Sequence, residues 1–312
     1  MALCLVTGGA GFIGSHLVEA LLERGDRVRI LDNFSSGRHD NLANVIDLVE
    51  VVEGDLRDMA AVRQAVQDVA LVYHLAAMVS VPQSIQDPLA AEAINAAGTL
   101  NLLLAAHQAG ARRLVLSSTC AVYGDAATLP VGEDQRPAPQ SPYGVAKLAA
   151  EGYCQVFNNA FRMETVTLRY FNVYGPRQDP SSPYSGVISI FVDKMSRGQA
   201  PTIFGSGAQT RDFVYVGDVV CANLLAGEVP AAAGRVFNVG RGQPVSINQL
   251  FHQLRHLLGN HLEANYAPAR PGDILHSYAD LAHARQVLGW QAQVPLEEGL
   301  RRLLSAITPA TR

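Results

Sequence analysis

One tryptophan and an aromatic share of 7% in 312 residues leave no row of rings for stacking nucleobases. Lysine and arginine together number 24 against 28 aspartates and glutamates, for a net charge of −4, and no basic run occurs. Phosphate-driven nucleic-acid binding is therefore excluded. The charged share of 17% is below the ~25% usual in globular chains, and 48% of residues are apolar, which excludes disorder. Cys4, Cys120, Cys154 and Cys221 are scattered without a CxxC pair. That argues against a disulfide framework or a zinc site and predicts reduced thiols in the cytoplasm. His252 and His256 stand four apart but lack the glutamate of a metalloprotease helix, so no metal is expected. No apolar stretch approaches the ~20 residues of a membrane span, and MALCLVTGG has no basic n-region. Neither a membrane partner nor a signal peptide is expected.

The first half alternates short apolar runs with helical patterns. Residues 3–6, 28–31, 49–53, 71–75 and 114–117 read as strands, and 16–23, 59–66 and 98–108 as helices. Continuously apolar strands alternating with helices mean a parallel sheet covered on both faces, a doubly wound α/β fold of Rossmann type. After residue 172, Pro176, Pro180 and Pro183, with nearby glycines and serines, mark a loop-rich stretch. Residues 187–197 look helical, and 213–216 and 236–239 look like strands returning to the main sheet. Ser246 opens an amphipathic helix that Gly259 stops, and 286–304 is helical with a break near Pro295. The expected division is a large unit, 1–171 plus about 212–242, with a smaller interleaved α/β unit from about 172–211 and 243–312.

Gly8, Gly11 and Gly14 follow the first strand and open the first helix, with Phe12 and Ile13 in its first turn. This is a variant of the dinucleotide fingerprint. It needs a tight turn, close backbone approach to a pyrophosphate and close helix packing, and the helix N-terminus offers its N–H groups to the phosphates. Asp32 ends the second strand about 20 residues on, where a carboxylate accepts from the adenosine ribose. Asn33, Phe34 and Ser35 follow, with no adjacent cation for a 2′-phosphate, which favours NAD over NADP; Arg38, further along, is a reservation. Asp55 is placed to meet the adenine edge, and a helix N-cap is its plainer role.

Ser117-Ser118-Thr119 and, later, Tyr143 and Lys147 form a second group. Tyr143 and Lys147, four apart, share a helix face. A free tyrosine titrates near 10 and is a poor base at neutral pH. A nearby ammonium favours the phenolate, and a hydroxyl from Thr119 or Ser117 can bond the reacting oxygen. Together these make a base for removing an alcohol proton during hydride transfer.

Read together, TGGAGFIGSH (7–16), DN (32–33), GD (54–55), HLAA (74–77), SSTCAVYG (117–124), SPYGVAK (141–147), LRYFNVYGPRQ (168–178), RDFVYVGD (211–218), FNVG (237–240) and RPGD (270–273) resemble the extended short-chain dehydrogenase/reductase family, and within it the UDP-galactose 4-epimerase group. The resemblance covers nearly the whole chain. It implies a tightly held NAD, with Tyr143 as base, Lys147 as its electrostatic partner and ribose anchor, and Thr119 bonding the substrate. It implies cofactor contacts from Leu56, Leu75, Ala76, Ala77, Ser117 and Tyr170. It implies that Asn172, Arg211, Arg270 and Asp273 hold UDP, with Ser80, Val187 and Phe204 also at the substrate. Arginine suits diphosphate oxygens. The family usually dimerises through a helix pair, for which 96–109 and 146–157 are apolar enough.

Related dehydratases and decarboxylases carry an acid two places after the Thr119 position; here Ala121 stands there. That leaves oxidation at C4 of a UDP-hexose and return of the same hydride, inverting C4 between glucose and galactose forms. The resemblance also marks a gate four places after Asp273, tyrosine in narrow enzymes and small in those accepting N-acetylhexosamines. Ser277 stands there and implies room for an acetamido group. The other readings are a uronate or dTDP-sugar epimerase, a reductase that releases its cofactor, and a non-catalytic NAD sensor.

Overall fold

The computed structural model describes residues 2–179, 186–269 and 273–307. Arg270 and Pro180 to Ser185 lie outside the described residues. The strands are β1 (Leu3–Thr7), β2 (Arg27–Asp32), β3 (Val49–Glu53), β4 (Leu71–His74), β5 (Arg113–Thr119), β6 (Glu164–Tyr170), β7 (Asn172–Tyr174), β8 (Thr202–Phe204), β9 (Thr210–Tyr215), β10 (Arg235–Val239), β11 (Pro244–Ser246) and β12 (Asn265–Ala267). The α-helices are α1 (Phe12–Glu23), α2 (Met59–Ala65), α3 (Val81–Gln86), α4 (Pro88–Glu92), α5 (Gly98–Gln108), α6 (Pro142–Ala160), α7 (Val187–Ser196), α8 (Val216–Glu228), α9 (Ile247–Leu258) and α10 (Leu296–Ile307).

Seven strands form the main sheet in the order β10-β6-β5-β4-β1-β2-β3, every neighbouring pair parallel. Because strand side chains alternate, each strand feeds two cores. Cys4, Val6, Tyr73 and Val115 face Leu17, Val18, Leu21, Val219 and Val220 of α1 and α8. Leu3, Leu5, Val72, Leu114 and Leu116 face Val62, Leu102, Leu103, Ala150 and Phe157 of α2, α5 and α6. This is the doubly wound α/β sheet expected, and its order reverses direction at β1, between β2 and β4.

β10 joins the main sheet beside β6, as expected. The strand expected over 213–216 does not. It is β9, which pairs with β7 in parallel and β11 antiparallel in a separate three-stranded sheet, and Val216 already begins α8. β8 and β12 form a second small sheet. A third core gathers Tyr174, Ile188, Phe191, Phe213, Leu250, Phe251, Leu254, Leu296 and Leu300 beside these sheets. Ser246 caps α9 in a reciprocal box with Gln249, and Gly259 ends the helix.

Helices α4 and α5 are joined by a π-helical turn at Ala93–Ala97, so Pro88–Gln108 runs helically for 21 residues, with an 18-residue window of mean hydropathy 1.4. By length and composition alone that run could cross a membrane, against the expectation that no stretch approaches this. Half of its most apolar window is buried, and α5 packs on α2 and α6.

Candidate active site

Parallel pairing brings the C-terminal ends of β1 to β6 to one edge, where an open α/β sheet binds ligands. At the end of β1, Gly8 adopts φ +70°, and a Cβ there would meet the Ala76 backbone nitrogen at 2.7 Å. A Cβ on Gly14 would meet the Gly8 carbonyl oxygen at 2.1 Å. Side chains at these two positions would push β1, α1 and the 75–77 segment apart. Gly11 caps α1 without a side-chain hydrogen bond, which leaves the first turn, with Phe12 and Ile13, available to an anion. Asp32, buried at the end of β2, accepts from the Ala10 and Phe34 N–H groups at 2.9 Å each. The cradle fits a dinucleotide: an open helix N-terminus, a backbone surface without Cβ atoms and a carboxylate at the second strand.

Asp55 follows β3 and accepts from Asn33 Nδ2 at 2.7 Å and from the Arg57 guanidinium and N–H at 2.8–2.9 Å. These bonds, that of Arg57 foremost, hold its carboxyl well below the usual range. The N-cap of α2 is instead Asp58, which accepts from Ala60 N. Leu56 is buried one residue on.

His74 ends β4 and is fully enclosed. Its Nδ1 lies 2.8 Å from Thr7 Oγ1 and its Nε2 2.9 Å from Thr99 Oγ1. Thr99 donates to the Asn95 carbonyl, so it accepts from His74, which carries its proton on Nε2. Thr7 then donates to Nδ1 and accepts from Ala76 N at 3.2 Å. Asn95, on the π-turn, grips both the N–H and the carbonyl of Met78. His74 is thus a core histidine with both ring nitrogens bonded. Sequence reasoning missed that the chain Thr7–His74–Thr99–Asn95 fixes the 75–78 segment; an interior π-turn has no sequence signature.

Thr119 ends β5 and accepts from Ala121 N at 3.1 Å. Ser141 caps α6, whose first turns carry Tyr143 and Lys147. The Tyr143 N–H donates to Ser84 Oγ at 3.1 Å, so α3 helps seat α6; Ser84 was not singled out from sequence. Burial pushes the Tyr143 phenol up to about 12, opposed by a hydrogen bond with Thr119. Lys147 Nζ donates to the Ser117 carbonyl at 2.9 Å. Burial brings its ammonium down to about 8, with Glu151, one turn on, raising it. The sequence expectation had Lys147 lowering Tyr143; here Thr119 does so, and burial outweighs it. Glu151 is itself fixed by Arg169 at 2.7 Å. Ser117 Oγ bonds Tyr170 OH at 2.9 Å, and Tyr170 is held by Asn223 of α8. Burial pushes the Cys120 thiol up to about 11, consistent with an inert filler.

Of the residues implied at the substrate, Arg211 on β9 and Asp273 form an ion pair at 2.5 Å, and Arg211 also donates to the Thr210 and Ile274 carbonyls. Asn172 opens β7, Val187 opens α7 and Phe204 ends β8. Ser80 is buried and caps α3, accepting from Gln83 N at 3.0 Å. Ser277 N donates to the Thr210 carbonyl at 3.3 Å, beside Arg211. The strap 273–279 is fastened to the sheets by Asp212, fully buried, which accepts from Ala279, Arg241 and Gly242 N–H groups. Sequence reasoning passed over Asp212 as a neighbour of Arg211. His252 and His256 are exposed on α9, and no cluster of three metal-binding side chains occurs among the described residues. Arg112 and Arg113 meet the C-terminus of α8, where they bond the Ala226, Gly227 and Val229 carbonyls.

The description "NAD dependent epimerase/dehydratase family" matches residues 4–240. A UDP-glucose 4-epimerase of Mycolicibacterium smegmatis is 41% identical over 302 residues, 96% of each chain. The crystal structure of UDP-glucose 4-epimerase with UDP-glucose from Thermotoga maritima superposes with TM-score 0.93 at 40% identity, over 97% of this chain and 98% of that one. A UDP-N-acetylglucosamine 4-epimerase from Methanobrevibacter ruminantium, in complex with UDP-N-acetylmuramic acid, gives TM-score 0.94 at 37% identity over 98% and 97%.

Burial lowers the His74 pKa from 6.5 to about 3. Between those values the unfolded chain binds a proton that the folded one refuses, so this residue makes stability fall as pH falls. The expected contribution is up to ~1.4 kcal/mol per pH unit in that window. Urea denaturation of the wild type and His74→Gln from pH 7 to pH 4 measures it, and the variant should lose that part of the slope.

Proposed function

The chain belongs to the NAD dependent epimerase/dehydratase family, and from that premise we infer that it inverts C4 of a UDP-hexose through a transient 4-keto sugar, with NAD as resident cofactor. The observation that carries this reading is the Thr119–Tyr143 hydroxyl pair on the same sheet edge as the glycine turn, with Ala121 where an extra acid would stand. NAD, when bound, supplies the hydride acceptor and then the donor at C4.

The protein's own part is proton handling and grip. Tyr143 takes the C4 hydroxyl proton and returns it to the same oxygen after the sugar has turned over. Thr119 bonds that oxygen throughout. Tyr143 titrates near 12 in the folded chain, so the site reaches a useful phenolate only with added positive charge. Lys147, bound to the Ser117 carbonyl and steadied by Glu151, keeps its ammonium at the inner end of the same helix face. Gly8, Gly11, Phe12, Ile13, Gly14, Asp32, Asn33, Asp55, Leu56, Leu75, Ala76, Ala77, Ser117 and Tyr170 would line the cofactor. Arg211, Asp273 and Arg270 would hold the UDP end, with Asn172, Val187, Phe204 and Ser80 around it. A strong grip on the diphosphate and a loose one on the hexose let the keto sugar present its other face. Ala121 cannot move a proton, which disfavours 4,6-dehydration and decarboxylation.

Within this assignment the main sheet, with residues 1–171 and about 212–242, serves NAD, and the remainder serves the UDP-sugar. Cytoplasmic location accords with four unpaired cysteines. A homodimer through α5 and α6 would cover Val145 and Val156, each about half exposed and three turns apart on α6. UDP-glucose and UDP-galactose should interconvert with no added oxidant, and Tyr143→Phe should cut turnover by ~10²–10⁴-fold while the bound dinucleotide, measured after denaturation, stays unchanged. No interconversion of any UDP-hexose pair by the wild type would refute the assignment.

Ser277 supports acceptance of N-acetylhexosamines as well, since its short side chain stands on the strap beside Arg211. Tyr278 follows, its carbonyl held by Val131 N at 2.9 Å. Competition kinetics should find that Ser277→Tyr loses UDP-GlcNAc/UDP-GalNAc turnover selectively; equal loss on plain hexoses would remove the gate.

A further inference from the structure

The Arg38 backbone lies against the ribose-binding carboxylate. Its N–H donates to the Ala10 carbonyl at 3.0 Å, and Ala10 N in turn donates to Asp32 at 2.9 Å. Gly37 is so close that a Cβ there would sit 2.9 Å from both Asp32 carboxylate oxygens. Asn41 also bonds the Ala10 carbonyl, which pins this turn. A guanidinium on such a backbone can reach the 2′ position of a ribose held by Asp32, the place where an arginine accommodates a 2′-phosphate.

Arg38 is turned elsewhere. Its guanidinium pairs with Asp179, on the segment that follows β7. That segment has anchors of its own. The Pro176 carbonyl bonds His16 at 3.1 Å, Arg177 pairs with Glu19 at 2.5 Å, and Gln178 accepts from Ser189 at 2.6 Å. The segment that carries Asp179 is therefore held without help from Arg38. Both partners are partly exposed, at 57% and 35% for Arg38 and Asp179, so the pair adds little to stability and its removal does not threaten the fold.

We propose that Asp179 determines dinucleotide selectivity: by engaging Arg38 it withholds the cation that a 2′-phosphate would need, and so keeps the site for NAD against NADP. The proposal rests on the NAD reading above. It makes selectivity depend on two carboxylates from separate parts of the chain. Asp32 faces the ribose directly and would repel a phosphate there. Asp179 removes the counter-charge. A guanidinium released from Asp179 could meet a phosphate with paired, charge-assisted hydrogen bonds.

The test is binding of NAD and of NADP to protein stripped of dinucleotide, followed by calorimetry without any sugar. Asp179→Asn should tighten NADP by about tenfold and leave NAD within about twofold. Adding Arg38→Ala to that variant should abolish the gain. Arg38→Ala alone should leave NAD binding unchanged, since it keeps the backbone bond to Ala10 and removes only a guanidinium that pairs with Asp179. Unchanged NADP affinity in Asp179→Asn, with NAD still bound, overturns the proposal alone, as does a gain that survives Arg38→Ala. A wild-type protein that binds neither dinucleotide overturns the NAD reading and the proposal with it.

Discussion

The van der Waals contact between Gly14 and the Gly8 carbonyl governs everything at the active edge. With no Cβ between them, α1 starts directly above the end of β1, and the backbone after β4 closes in from the other side to touch Gly8. Parallel pairing then places the ends of β2, β3, β5 and β6 around that point. The positions of Asp32, of the Asn33–Asp55 pair and of the β5 hydroxyls are therefore set by backbone geometry before any side chain is chosen. The 75–78 segment needs more, because it has no regular structure. It is held by a neutral histidine, two threonines and an asparagine in one hydrogen-bonded chain.

Helix α6 supplies the chemistry from one stripe. Tyr143, Lys147 and Glu151 are four apart, so phenol, ammonium and carboxylate descend from the cleft into the core. Glu151 and Arg169 close that series as a buried pair, with Ser118 donating to the same carboxylate. Burial works against both ionised forms, raising the phenol and lowering the ammonium. A phenol that stays neutral on its own and becomes basic when a positive ring enters would keep the base idle until the dinucleotide is in place. The proposed UDP side is arranged differently. Arg211 is aimed by two carbonyls and Asp273 on an exposed strap, and Asp212 beneath fastens that strap to the sheets.

Where local spacing decides the outcome, the chain could be read directly. The glycine trio, Asp32 at its distance, the Tyr143–Lys147 face and the Ser246 capping box all depend on neighbours close in sequence. Long-range pairing was harder. Residues 213–216 form a continuous apolar run like the strands of the main sheet, and nothing local says that β9 pairs with β7 and β11 instead. The helical run from Pro88 was hidden because a proline and a π-turn break its periodicity. Asp55 leaves two roles open in sequence, an adenine contact and a helix cap, because both ask for the same residue type; the structure gives the cap to Asp58. Arg38 and Asp179 are 141 residues apart, so their pairing had no sequence signal at all.

If one hydride leaves C4 and returns to it without exchange, UDP-glucose carrying deuterium at C4 keeps its label. Turnover of that substrate, followed by mass and NMR analysis of the UDP-galactose formed, should show full retention of deuterium at C4, in ordinary water and without added cofactor. Washout of the deuterium into solvent, or its appearance in released dinucleotide, would contradict that return.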